Sequence, residues 1–348
     1  MRARIEPIHA LLIAAAGMLG CMPTDVDYTA NADVSGDCPT LADTRISSAT
    51  AARNLPQSCF KVAGTLEIRS PDLLDLEAFQ YLREVNNLVV QDNAQLRSMA
   101  GLDHVRVIQR VQIDNNPLLE EIVGLEGTET LEQLTITKNP LLASVSGLRQ
   151  LKQVGASGAE LRENGGPVDL QELESLGRVE GSLQIRDNSG MRNLKTGRPL
   201  DAVGDVIITG NRSIEQIGFE TTAINGSLTI GHNEALSIFD GFRNLTTLSG
   251  DMTIEQNAAL IDFEGFSASF TAIGRNLKID NNPVLDDVYD LAINLISIGG
   301  SVTVTNNILL SACRAEDFTV LDEDGGFLEQ VGGLIDIGDN SAVWDPCD

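Results

Sequence analysis

The chain has 348 residues and a formal net charge of −26, with 50 acidic side chains against 24 basic ones. Such a surface repels nucleic acid and anionic lipid headgroups, and no basic stripe interrupts it, so nucleic-acid binding is excluded. Five cysteines without a Cys-x-x-Cys pair, and three histidines, argue against a zinc centre.

At the N-terminus, Arg2 and Arg4 precede an apolar run over residues 8–19. This run is too short to span a bilayer as a helix and carries the flanks of an export signal. It ends in Met18-Leu19-Gly20-Cys21, which resembles the bacterial lipobox, where a small residue precedes the cysteine that receives diacylglycerol. The resemblance implies a lipoprotein signal peptide over 1–20 and lipidation at Cys21. Met22, rather than aspartate, follows that cysteine, so the same resemblance implies a lipid-anchored protein of the outer membrane. Residues 21–37 are polar, acidic and free of apolar periodicity, and read as a flexible tether.

Beyond the tether one phrase recurs: an apolar residue, any residue, an apolar residue, two more, then asparagine. It reads Leu88, Val90 and Asn93, then Val111, Ile113 and Asn116, then Leu134, Ile136 and Asn139. The asparagines continue at Asn164, Asn188, Asn211, Asn233, Asn257, Asn282, Asn307 and Asn340, spaced 22 to 25 residues apart except for a last gap of 33. A fixed period of this size marks a stacked solenoid. Each repeat predicts a short strand with one buried face, and the strands of successive coils form one long parallel sheet. The asparagines sit where the chain leaves the strand, and their amides satisfy backbone groups that the corner would bury unpaired.

Two further apolar columns follow. One lies three residues after the asparagine, as in Leu96, Leu119 and Leu142. Another lies nine after it, as in Leu102, Leu125 and Phe242. Glycines before the second column (Gly101, Gly124, Gly147, Gly241, Gly265) and at strand starts (Gly64, Gly181, Gly226, Gly300) are expected to take positive φ at tight corners. Spacings such as Leu148, Leu151 and Val154 leave helix and strand open for the rest of each coil. Counting the strand at 66–68, which lacks the asparagine, about 12 coils give a body roughly 55 Å long at ~4.8 Å per strand.

With Cys21 lipidated, four cysteines remain in an oxidising compartment. Cys38 and Cys59 precede the first asparagine repeat; Cys313 and Cys347 flank the last. A solenoid cannot bring its ends together, so Cys38–Cys59 and Cys313–Cys347 are the compatible pairs, each stapling one end by roughly 3 kcal/mol. The repeat region runs over 38–348, with an N-cap at 38–63 and a C-cap at 308–348.

The G-x-L-x-I-x-x-N phrase, the later Gly-Leu and the cysteine-stapled ends resemble the receptor L-domain within the leucine-rich-repeat class, here in a bacterial exported lipoprotein. The resemblance implies a mainly β, right-handed solenoid with a long parallel sheet and disulfide-capped ends. The strand segment departs from the strict LxxLxL of leucine-rich repeats, and the array is longer than a receptor L-domain.

Coils five and six depart from the pattern at Gly165-Gly166-Pro167 and at residues 195–199. The same region gathers Arg162, Arg186, Arg192, Lys195 and Arg198 in an otherwise acidic chain, a candidate ligand surface. Solvent-facing strand positions include Thr135, Thr137, Thr229, Thr253, Thr303 and Thr305, too irregular for an ice-binding ladder. Aspartates beside the asparagines do not hold one column, so they read as turn caps and no metal or other cofactor is expected. No catalytic motif occurs, and beyond the leader only His104 and His232 remain. The sequence therefore predicts a non-enzymatic binding module, membrane-attached only through its N-terminal lipid, that recognises a protein or glycan through the sheet face. The alternatives are a structural envelope component without a specific ligand and, less favoured, a polysaccharide-active solenoid enzyme.

Overall fold

The computed structural model describes residues 26–27, 30–31, 38–168, 170–195, 198–201, 203–218, 220–319 and 328–340. The expected signal peptide, Cys21 and Cys347 lie outside the described residues.

The chain is a mainly β solenoid of about 11 turns. Alternation of apolar and polar residues gives each coil a strand with one buried face, and successive strands pair parallel and in register. Leu88 partners Val111, which partners Leu134; at the far end Leu277 partners Val302, which partners Ile335. The main sheet so formed has 16 strands among the described residues. Coil five, whose sequence breaks the pattern, keeps the register: Ala159–Arg162 pairs on one side with Gln133–Thr137 and on the other with Leu183–Arg186. Its irregularity lies past the strand, where a Cβ at Gly166 would meet the Leu142 carbonyl oxygen at 1.8 Å.

Every asparagine-bearing coil leaves its strand through a left-handed residue immediately before the asparagine. Asp92, Asn115, Lys138, Glu163, Asp187, Gly210, His232, Gln256, Asn281, Asn306 and Asp339 all have φ between 53° and 70°. Only one of these is glycine, although a left-handed conformation costs an ordinary L-residue roughly 1–2 kcal/mol. The asparagine that follows stabilises the corner. In the central coils, Asn233 donates from its amide to the Ile208 carbonyl (2.9 Å) and to Asn257 Oδ1 (3.2 Å). Its own Oδ1 accepts from the backbone N–H and the side-chain amide of Asn211. The same pattern links Asn93 through Asn340, and all but Asn340 are buried. At the N-terminal end the strand lacks the left-handed residue, and the Ser70 backbone N–H donates to Asn93 Oδ1 at 2.7 Å.

The part of the coil left open by the sequence is largely extended. Short parallel strands such as Gln153–Val154 and Arg178–Val179, or Asn193–Lys195 and Gln216–Gly218, build smaller sheets. Single 3-10 turns such as Ser146–Leu148 and Leu170–Glu172 lie between. The apolar columns fill the interior: Leu96, Leu119, Leu142, Leu236 and Leu285 are fully buried. In the later coils Phe239, Phe242, Phe263, Phe266 and Phe270 replace leucines, with ring centroids 5.3 to 6.5 Å apart, within the range of favourable aromatic pairs.

Cys38 and Cys59 form the expected N-terminal disulfide, with Cα atoms 5.0 Å apart. Cys313 is also disulfide-bonded. The N-terminal edge of the sheet is covered by short antiparallel strands: Val26–Asp27 pairs with Thr44–Ile46 and Ala30–Asn31 with Thr40–Leu41. Four residues of the stretch read as a flexible tether are thus tied to the first coil, which covers backbone groups that an open edge would present.

Candidate functional site: the outward face of the main sheet

The strand pleat sends alternate residues outward, and the register stacks them in columns about 4.8 Å apart. One column runs Val89, Gln112, Thr135, Glu160, Gln184, Ile207, Thr229, Thr253, Lys278, Thr303 and Asp336. All of these are half-buried or exposed. Thr137 departs from its expected exposure: it lies between its register partners Asp114 and Arg162, donates to Asp114 Oδ1 and is buried.

Charged side chains pair mainly across one coil. Lys61 meets Glu84 at 2.9 Å, Arg69 meets Asp92 at 2.9 Å, Arg97 meets Glu120 at 2.7 Å and Lys278 meets Glu255 at 2.7 Å. The Glu255 carboxylate and, further, that of Asp280 hold the Lys278 ammonium above its ordinary pKa. These pairs are exposed and contribute little each.

The five basic residues singled out in the sequence are distributed over different parts of the coil. Arg162 and Arg186 are direct register partners on the main sheet. Arg162 is held by Glu160 at 2.9 Å and by Glu163. Lys195 ends the short strand Asn193–Lys195 of another sheet, and Arg192, just before that strand, pairs with Glu215 at 3.6 Å. Arg198 lies against Gly177. The structure therefore brings two of the five together on the sheet face.

A second ladder, which the sequence reading missed, runs along the start of the strands. Asp205 Oδ1 accepts from the Ser227 N–H (2.8 Å), Ser227 Oγ from the Asp251 N–H (3.1 Å) and Asp251 Oδ1 from the Asn276 N–H (3.0 Å). Asn276 Oδ1 then accepts from the Ser301 N–H (2.8 Å), and Ser301 Oγ from the Leu334 N–H (3.1 Å). The Asn276 N–H, reinforced by its side-chain amide, holds the Asp251 carboxyl below the ordinary carboxylate range.

This ladder explains the strand-start glycines differently from the sequence reading. Positive φ is found at Gly101, Gly124 and Gly265, but not at Gly147, Gly241, Gly64, Gly181, Gly226 or Gly300. A Cβ on Gly226 would lie 2.1 Å from Asp205 Oδ1, and one on Gly300 would lie 2.3 Å from Asn276 Oδ1. Glycine leaves the space that the accepting oxygen of the previous coil occupies. Arg275 takes the equivalent place in one coil, so the requirement is not absolute. The available signal was an acceptor residue between that glycine and the strand, as in Gly204-Asp205, Gly226-Ser227, Gly250-Asp251 and Gly300-Ser301.

Between the two outward columns of the later coils lies an open depression of about 410 Å³, lined by Ser227, Thr229, Asp251, Thr253, Asn276, Leu277, Lys278, Ser301 and Thr303. A smaller acidic hollow of about 180 Å³ lies away from the sheet, among Asp262, Glu264, Asp287, Tyr289 and Asp290. Burial there, with the charge of Glu264, pushes the Asp262 carboxyl up. Among the described residues no group of three or more His, Cys, Asp or Glu side chains is arranged to hold a metal ion. Nor is any helix there long and apolar enough to cross a membrane. No protein-family model matches the chain, and no curated protein matches it.

Proposed function

We propose that the protein is an exported binding module, lipid-anchored at Cys21 in a bacterial outer membrane, that recognises a protein or glycan through the outward face of its main sheet. The observation that carries this reading is that face: an extended, in-register surface whose exposed columns change chemically from coil to coil. A surface serving only as packing would gain from uniformity, whereas recognition needs varied groups at fixed spacing. The Cys38–Cys59 disulfide suits an oxidising compartment outside the cytoplasm.

Two measurements test the proposal. Cys21→Ala should move the protein from the membrane to the soluble fraction; retention in the membrane at the wild-type level would remove the anchor. The full chain, screened against arrayed proteins and glycans, should show a ligand lost in a Thr135→Arg, Thr253→Arg double variant and kept in an Arg192→Ala variant. Failure to find any ligand dependent on the face would favour a structural envelope role instead.

A further inference from the structure

The depression on the later coils gathers unused hydrogen-bonding groups on neighbouring coils. Along its outer column, the hydroxyls of Thr229, Thr253 and Thr303 have no protein partner among the described residues and are half-buried rather than freely hydrated. Along the inner column, Ser227 and Ser301 use their oxygens as acceptors in the strand-start ladder, which leaves both hydroxyl protons free to donate outward. Asp251 accepts through Oδ1, so Oδ2 is an available acceptor, and the Asn276 amide keeps one N–H beyond its bond to Asp251.

The inner residues immediately precede the strands and the outer ones lie two positions further on, so in extended chain the columns stand about 6.6 Å apart, and successive coils repeat the pair every ~4.8 Å. The result is a two-row grid of donors and acceptors extending over four coils, about 14 Å. The ladder fixes its inner row, because each side chain there is already bonded to the backbone of the next coil. Little side-chain entropy is lost when such a row binds a ligand.

The chemistry of the grid selects among ligands. Its one apolar lining residue, Leu277, is fully buried, and it contains no aromatic ring, so it lacks the anchors on which protein interfaces rest. Lys278 is neutralised by Glu255 at 2.7 Å and Asp280 at 3.3 Å, and Asp251 adds a further negative charge. A polyanion is therefore repelled. The unpaired groups are hydroxyls, an amide N–H and a carboxylate oxygen, which match a neutral molecule rich in hydroxyls that repeats at about the spacing of the coils. A pyranose ring is comparable in length to one coil step of ~4.8 Å.

Resting on the sheet-face binding reading, we propose that the depression over Ser227, Thr229, Asp251, Thr253, Asn276, Ser301 and Thr303 binds a linear neutral polysaccharide, laid along the solenoid axis with about one sugar per coil.

The test is calorimetric titration of the full chain with neutral linear oligosaccharides of two to six sugars: cello-, chito-, malto- and laminari-series. Oligogalacturonate serves as the anionic comparison. At least one neutral series should bind saturably, with affinity rising up to about four sugars and levelling beyond. Thr253→Val with Thr303→Val keeps strand propensity and shape, and should weaken binding about tenfold or more, since each lost hydrogen bond is worth roughly 1 kcal/mol. Thr247→Val, on a different sheet, should bind as wild type, and unfolding curves of all variants should coincide within error. Equal affinity in the double variant, preference for oligogalacturonate, or no neutral oligosaccharide bound would each overturn the inference. In the last case a protein ligand that still depends on the sheet face would leave the binding reading standing. Loss of every face-dependent ligand would remove both.

Discussion

In the first coils the strands Phe60–Ile68, Leu82–Gln91 and Val107–Asp114 run eight to ten residues and pair along most of their length. From Ala159–Arg162 onward the main-sheet strands have four residues, and glycines commonly precede their start. Both regions share the buried asparagine ladder. They differ at the start of the strand: Leu82–Gln91 and Val107–Asp114 use backbone pairing, whereas the later coils use the side-chain ladder from Asp205 to Leu334, a device that also occurs on the first of the long strands, where the Thr65 N–H donates to Asp43 Oδ1 at 2.7 Å. A backbone N–H close to the core must find an acceptor, and where the neighbouring strand no longer offers a carbonyl, a short polar side chain supplies one. The same substitution of side chain for backbone lays out the polar grid on which the proposed polysaccharide would lie.

If the halves share the inner ladder, Asn116→Ala and Asn257→Ala should cost similar amounts. Each leaves a buried carbonyl (Val90 or Ile230) and the buried N–H of the preceding asparagine (Asn93 or Asn233) unpaired, at about 1–3 kcal/mol apiece, so about 4 kcal/mol is expected for either variant. Unfolding free energies from urea titration that differed by half that amount between the two variants would break the equivalence.

A second effect belongs to the C-terminal region alone. Asp317 is buried at the end of the short helix Ala312–Glu316, and burial pushes its carboxyl up to about 6, against the partial relief of Arg314 and with the added repulsion of Asp287. Its folded-state pKa thus exceeds the ordinary 3.8, so the folded chain binds more protons between these values. Stability should fall as pH rises from about 4 through 6 and then level. Asp317→Asn should therefore gain at most about 3 kcal/mol at pH 7.5, at 1.36 kcal/mol per pH unit, and almost nothing near pH 4. An equal effect at both pH values would exclude the buried charge as its cause.

The smallest effect addresses the comparison most directly. Ser227→Ala removes the acceptor of the Asp251 N–H and should cost about 1 kcal/mol. Asn87→Ala, on an early strand where the backbone itself is paired, removes a side-chain bond of 3.4 Å and should cost a few tenths of that. Equal losses in thermal unfolding would show that the strand starts are held alike in both halves.

Much of the scaffold was legible because it repeats. The asparagine column, the apolar columns and the Cys38–Cys59 staple each leave a periodic or pairwise mark in the sequence. The left-handed residue before each asparagine left a weaker mark: the column is polar and rich in asparagine and aspartate, which tolerate that conformation, but Lys138, Glu163 and Gln256 carry no such preference. The burial of Thr137 was hidden, being set by which residues of adjacent coils flank it. On the sheet face the sequence pointed to a cluster of arginines and a lysine. The fold separated that cluster and assembled a different group from residues lying about 25 positions apart.

The sequence by itself therefore determined that the chain coils, how often it does so, and which residues point inward, because burial in a stacked coil imposes a period that the order of residues displays. Only the tertiary structure decided what the exposed residues do. Their roles depend on the neighbour one coil away, and on whether a backbone carbonyl or a side-chain oxygen occupies the space beside each N–H.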